Sequence, residues 1–241
     1  MKIIAMIPAR YAATRFPAKL MQPLGEKTII RHTYDNTVAT GLFDEVWVVT
    51  DSRIIYREIE DNGGNVIMSK KEHESGSDRI AEAVADMDID IVLNVQGDEP
   101  FVNRDALKRL LDVFRGEEGK SVQVASIMEV MNDPERIANP NNVKVVVDQN
   151  NNSLLFSRSV IPYVRNTEAK VVHYQHKGVY AFRKQALLDF SSWPITPLEN
   201  AEKIECLRYL EHGIPLKMVL VDQMGINIDT PEDYEKAKTM F

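Results

Sequence analysis

A chain of 241 residues with 44% hydrophobic and 27% charged residues has the composition of an ordinary globular protein, long enough for one large domain or a core with a substantial insertion. Its net charge of -7 argues against general nucleic-acid binding, which relies on clustered Lys and Arg, and no apolar segment approaches the ~20 residues of a membrane span. Cys206 is the only cysteine, which excludes an intrachain disulfide and a cysteine-based metal site and makes a reducing cytoplasm the expected location.

The N-terminal run Lys2–Ile7 is too short for a signal sequence and leads straight into Arg10, so it is read as a first strand, covered on both faces. Ile29, Ile30, Tyr34 and Val38 recur at helical spacing and predict a helix over Thr28–Thr40 that stops at Gly41. A strand at Glu45–Val49, a helix at Arg53–Asp61, a turn at Gly63–Gly64 and a short strand at Val66–Met68 follow. Ser77 or Ser75 caps the next helix, Asp78–Met87, and Ile91–Val95 returns to the sheet. Strands and helices alternating in this rhythm imply a parallel, doubly wound sheet.

After a helix at Arg104–Phe114 the pattern changes. Val122–Val130, Val143–Asp148, Ser153–Phe156 and Val171–Phe182 are strand-like, with Asn150–Asn152 as a hairpin turn, and together predict an antiparallel excursion. A helix at Leu198–His212 ends at Gly213, Pro215–Val221 is a strand, and Thr230 with Pro231 opens a terminal helix. The expected organisation is a single α/β domain over residues 1–241, with a mixed segment inserted at about 120–200.

Two loops carry opposite charges at the ends of strands. Pro8 to Lys19 holds Arg10, Arg15 and Lys19, donors suited to phosphate oxygens, although it lacks the Walker A string and contains no glycine. Asn94 to Pro100 places Asp98 and Glu99 after the buried run Ile91–Leu93, where open α/β sheets bind ligands, and carboxylates are the hard ligands Mg²⁺ prefers. Asp229, before the last helix, offers a second carboxylate, though a place in the helix-start signature explains it equally well. None of the five histidines sits in a zinc signature; His176 is singled out because Gly178 and Tyr180 follow it in a polar strand. Cys206 is expected to be structural. Glu199, Glu202 and Glu205 with Arg208 read as a solvated charged face.

In order along the chain, these pieces resemble the 3-deoxy-manno-octulosonate (Kdo) cytidylyltransferase family. The resemblance runs from Pro8–Lys19 through Thr50-Asp51, Ser75-Gly76-Ser77-Asp78-Arg79 and Asn94–Pro100 to Asn139–Lys144 and Phe156-Ser157-Arg158 with Ile161-Pro162. It continues through His176–Tyr180 and Pro197–Arg208 to Asp229–Asp233. Single motifs are shared with other sugar nucleotidyltransferases, but the ordered set is specific. The chain departs from the family in carrying Ala13 or Thr14 where Ser is common, Ala18 where Gly is common, Ser77 within the Ser-Gly-Thr-Asp-Arg motif, and Cys206 for a Gln.

The resemblance implies transfer of CMP from CTP to the anomeric hydroxyl of Kdo with release of pyrophosphate, which activates the sugar for lipopolysaccharide synthesis. Arg10 and Lys19 would neutralise the triphosphate, and Asp98 and Asp229 would hold Mg²⁺, as one ion or two. Pro8, Ala9, Arg15, Ser77 and Arg79 join Arg10, Lys19 and Asp98 as nucleotide-binding candidates. Gln96, Arg158, His176, Tyr180 and Glu205 are candidates for the sugar acid, and a homodimer is implied. The alternatives are a cytidylyltransferase for a sialic acid or an 8-amino analogue of Kdo, a retaining glycosyltransferase, and a non-catalytic nucleotide sensor. Gly97-Asp98-Glu99 does not match the Asp-x-Asp motif of the glycosyltransferases.

Overall fold

The apolar N-terminal run forms a strand buried on both faces: in the computed structural model, β1 (Ile3–Ala9) has Ile4, Ala5, Met6 and Ile7 fully buried. The structure describes residues 1–12, 16–73, 75–225, 227–228 and 230–240. The chain divides into two compact units, one formed by Met1–Arg104 with Gly225–Phe241, the other by Asp105–Met224.

In the first unit a small hairpin of β2 (Pro23–Leu24) and β3 (Lys27–Thr28) leads into α1 (Ile29–Ala39). Thr28 caps this helix by accepting a hydrogen bond from the Arg31 amide, and Gly41, at φ +64°, turns the chain away from it. β4 (Glu45–Thr50), α2 (Arg53–Glu60), β5 (Val66–Met68), α3 (Gly76–Val84) and β6 (Ile91–Asn94) complete the alternation. The strands lie in the order β6-β1-β4-β5, all parallel, with Ala5 opposite Leu93, Ile7 opposite Val48 and Val49 opposite Ile67. Because they are parallel, their carboxyl ends share one edge, which receives the segments beginning at Arg10, Asp51 and Val95. The closing helix, Pro231–Lys238, starts with the expected Thr230 cap, and Asp233 completes a capping box.

Ala18 adopts φ 51° and ψ 29°, the left-handed conformation that the glycine common in the family takes without strain, and it opens the one-turn 3₁₀ helix Lys19–Met21 that sets the direction of Lys19. A left-handed alanine costs about 1–2 kcal/mol, partly offset because glycine gains entropy on unfolding. Ala18→Gly is therefore expected to stabilise the protein by about 0.5 kcal/mol. An unchanged or lower urea midpoint for the variant would contradict this.

The second unit contains α4 (Arg104–Asp112), α5 (Gly116–Gly119), β7 (Val124–Met131), α6 (Pro134–Ala138), β8 (Lys144–Val147), β9 (Ser153–Ser157), β10 (His173–Arg183), α7 (Lys184–Ser192), α8 (Pro197–Glu202), α9 (Leu207–Glu211) and β11 (Lys217–Val221). β10 runs antiparallel to both β7 and β8, and β8 with β9 forms the hairpin expected around Asn150–Asn152. Asp148 Oδ1 closes that turn by accepting from the Asn150 and Asn152 amides, with Asn151 left-handed. β11, for which no direction of pairing was expected, pairs parallel to β7. One expectation is corrected. The helix expected over Leu198–His212 is two short helices, parted where Lys203 turns left-handed at φ 52°. The sequence reading also missed α7, whose buried residues are Ala186, Leu187 and Phe190. Among the described residues no helix is long and apolar enough to cross a membrane.

Candidate active site

At the carboxyl edge of the first unit's sheet, Lys19 Nζ donates to Asp98 Oδ2 at 2.5 Å, which brings the basic and acidic loops together. Gly97 allows the approach, since a side chain there would crowd the Pro8 carbonyl at 3.1 Å. Thr33 donates to the Gly97 carbonyl and Asn36 to that of Pro100, so α1 holds the acidic turn from behind. Asp98 is partly exposed, whereas its neighbour Glu99 is buried. Gln96 is partly exposed, and its carbonyl accepts the Glu99 amide within the same turn.

Arg79 is buried inside α3, where Nη2 donates to Asp51 Oδ2 at 2.5 Å and Nη1 to the Ala9 carbonyl at 3.4 Å. Burial alone would raise the Asp51 pKa, but the Arg79 hydrogen bond and charge, with a further contribution from Arg10, turn the net shift downward. Arg79 thereby fixes the backbone at which the basic loop begins. Arg10 is exposed, Pro8 half-buried and Ala9 buried. Ser75, not Ser77, caps α3 by accepting from the Asp78 amide, which leaves Ser77 buried within the first turn. Asp51 carried no assigned role in the sequence, although it too follows a strand at this edge.

Arg15 and Asp229 lie outside the described residues. The residue before Asp229 is described: the Ile228 amide donates to the Asp98 carbonyl at 3.1 Å. Nearby, a side chain at Gly225 would sit 2.0 Å from the Phe101 carbonyl, so only glycine lets this segment run so close to the one that follows Asp98. The chain leading to Asp229 is thus tied to the turn that carries Asp98. Among the described residues no group of three His, Cys, Asp or Glu side chains could hold a metal by itself. Magnesium does not require one, because it keeps several waters and takes phosphate oxygens beside one or two carboxylates, and the hard oxygens of Asp98 fit that chemistry.

In the second unit the strand read as polar buries His176. Its ring meets Phe156 edge-on at 4.8 Å and lies 5.4 Å from Tyr180. Nε2 is 2.9 Å from Ser126 Oγ, which is itself 2.8 Å from the Val179 carbonyl and 3.0 Å from that of Lys177. With the single hydroxyl proton directed to a carbonyl, Nε2–H donates to Oγ. Burial, with a smaller contribution from Lys177, pushes the His176 pKa down to about 3. Folding stability from this group is present above pH ~6.5, where the unfolded histidine is already neutral, and is lost as pH falls toward 3. Between those limits the wild type should lose up to about 1.4 kcal/mol more per pH unit than His176→Gln. Equal slopes in urea unfolding series would contradict the assignment.

Burial also raises the Tyr180 and Cys206 pKa values, and the two side chains are hydrogen-bonded to each other. Glu205 is half-buried in the bend between α8 and α9. That bend is closed by Arg208, which donates from Nε and Nη2 to the two carboxylate oxygens of Glu199 at 2.7 and 2.6 Å. The expectation of a solvated charged face fails here. Arg208 is buried against Phe190 and also donates to the carbonyls of Phe190 and Trp193. Arg158 is half-buried and donates to three backbone carbonyls, those of Pro140, Glu202 and Lys203. Lys144 and Glu202, which surround it, were given no role of their own from sequence; a lysine within Val143–Val147 was the available signal for the first.

A family model described as cytidylyltransferase matches residues 4–220. The 3-deoxy-manno-octulosonate cytidylyltransferase of Flavobacterium johnsoniae is 61% identical over 241 residues, covering 100% of this chain and 99% of the relative. That of Christiangramia forsetii is 56% identical, covering 100% and 97%. A solved structure of CMP:2-keto-3-deoxy-manno-octonic acid synthetase complexed with CTP superposes with a TM-score of 0.94 at 35% identity, covering 100% of this chain and 98% of its own. A 4-diphosphocytidyl-2C-methyl-D-erythritol synthase from Anaerococcus prevotii, at 17% identity and TM-score 0.64, shares the fold. The parallel sheet with its charged carboxyl edge and the full-length identities have one meaning: the chain belongs to the 3-deoxy-manno-octulosonate cytidylyltransferase family.

Proposed function

We propose that the protein transfers CMP from CTP to the anomeric hydroxyl of Kdo, releasing pyrophosphate. The observation that carries this reading is full-length identity of 61% to a relative of that name, together with the fold shared with a synthetase solved with CTP. The reaction is an in-line attack on the α-phosphorus without a covalent enzyme intermediate, so positioning and electrostatics are what the protein must supply.

Lys19 exchanges Asp98 for phosphate oxygens when the triphosphate arrives, and with Arg10 it neutralises the charge that develops on pyrophosphate. The Arg79–Asp51 pair fixes the Ala9 backbone, and with Ser77 it belongs to the cytidine half. Pro8 and Arg15 complete the nucleotide set by resemblance. Asp98 and Asp229 hold Mg²⁺, a role supported by the hydrogen bond between Ile228 and the Asp98 turn. When bound, the ion neutralises phosphate charge and lowers the pKa of the attacking hydroxyl.

Gln96, Arg158, His176, Tyr180 and Glu205 are assigned to the sugar acid on the family resemblance. His176, neutral and hydrogen-bonded to Ser126, serves as a fixed wall rather than a base. A homodimer and a cytoplasmic location belong to the same reading, and a solution mass of one chain by light scattering would remove the dimer.

The test is incubation with CTP, Mg²⁺ and a panel of sugar acids, with pyrophosphate quantified. Kdo is expected to give the highest kcat/KM, exceeding sialic acid by at least about 100-fold, since a site built for one set of hydroxyls leaves polar groups unpaired with another. A higher kcat/KM with another acid would reassign the substrate, and CTP binding without pyrophosphate release would favour a nucleotide sensor.

A further inference from the structure

Lys144 is fully buried in β8, the one charged residue among Val143, Val145, Val146 and Val147. Its ammonium donates to the backbone carbonyls of Asn139 at 3.1 Å and Arg158 at 2.5 Å. Burying an ammonium is costly unless it is compensated, and the nearby carboxylate is that of Glu202. That carboxylate accepts from Ser157 Oγ at 2.6 Å and from the Arg158 amide at 2.8 Å. Arg158 is thus held through its carbonyl by Lys144 and through its amide by Glu202.

The Arg158 guanidinium has five N–H groups. Three are spent on the carbonyls of Glu202 (2.6 Å), Pro140 (3.0 Å) and Lys203 (3.3 Å). The remaining two, one on each terminal nitrogen, have no hydrogen-bond partner among the described residues. A pair of N–H groups on one guanidinium suits the two oxygens of a carboxylate. The charges agree in sign: Lys144 and Arg158 are both cations, and the Glu202 carboxylate acts on both.

We propose that Lys144 and Glu202 are positioning residues that fix Arg158 so that its two remaining N–H groups receive the carboxylate of the sugar acid. The inference rests on the reading of Arg158 as a sugar-acid ligand. Neither Lys144 nor Glu202 touches substrate; each acts through the Arg158 backbone. Burial lowers the Lys144 pKa; Glu202 opposes the shift and Arg158 adds a smaller contribution to it.

The test is a double-mutant cycle on the full chain, with separate KM values for Kdo and CTP from pyrophosphate release. Arg158→Ala is expected to raise the KM for Kdo at least tenfold and leave that for CTP within about twofold, the loss of a charge-assisted pair. Lys144→Met should raise the KM for Kdo about tenfold in the wild-type background and less than about twofold when Arg158 is already Ala. Glu202→Asp keeps the charge but withdraws it by one methylene, and should behave in the same way. It decides the matter if Lys144→Met does not fold.

If Arg158→Ala leaves the KM for Kdo unchanged, the sugar-site reading itself falls. If that variant behaves as expected but Lys144→Met and Glu202→Asp do not move the KM for Kdo, only the positioning role falls. Equal effects of either variant with and without Arg158, or equal damage to both substrates, would mean general support of the fold and would overturn the proposal.

Discussion

Asp98→Asn is expected to lower kcat by about two to three orders of magnitude at saturating Mg²⁺ and CTP, the scale seen when one electrostatic element of a transition-state site is removed. The substitution keeps the size and one oxygen but removes the charge, so Lys19 loses this ion pair and the proposed Mg²⁺ site would lose a charged ligand. The turn itself should survive, because its backbone is held by Thr33, Asn36 and the Ile228 amide rather than by the carboxylate. Initial rates of pyrophosphate release are the measurement. A kcat within threefold of wild type would remove Asp98 from the metal site. Asp229→Asn should behave alike, because the segment leading to it is fastened to the Asp98 turn.

Glu199→Gln is expected to cost about 3–5 kcal/mol, as do buried pairs in which one partner is removed and the other charge is left uncompensated. Glu199 meets Arg208 through both oxygens, and one of them also accepts the Thr196 amide at the start of α8. Arg208 is buried over the face of Phe190, so its charge has no route to water. For a chain of this size about 2–4 °C is lost per kcal/mol, which places the loss in melting temperature at about 10 °C. A loss under about 2 °C would show the pair to be worth no more than an exposed one. The pair also bounds the bend that carries Glu205 and Cys206, which connects this stability to the proposed sugar site.

The parallel half of the fold was legible because both its signals are local. Continuous apolar runs such as Ile3–Ile7 and Ile91–Leu93 mark doubly covered strands, and Thr28, Gly41, Thr230 and Pro231 mark helix ends by their own chemistry. That the basic and acidic loops meet followed from placing both at the carboxyl edge of one sheet, although the direct Lys19–Asp98 pair was not expected. What escaped depends on contacts distant in sequence. Helical periodicity continues through Lys203, so the left-handed turn there is invisible until Arg208 reaches back to Glu199. Lys144 looks like a surface lysine at an edge until the carbonyls of Asn139 and Arg158 meet it. Likewise β11 carries no sign of its direction of pairing; that is decided by its crossover to β7. The family resemblance supplied the sugar-acid residues, which spacing alone would not have gathered.

Calorimetric titration of CTP into the protein, with Mg²⁺ and again with the metal chelated, tests most directly whether acids from two distant parts of the chain grip the ion that presents the nucleotide. The wild type should bind CTP at least about tenfold more tightly with Mg²⁺, a coupling of at least about 1.4 kcal/mol, and both Asp98→Asn and Asp229→Asn should lose most of that gain. Full retention of the Mg²⁺-dependent gain in both variants would contradict the account.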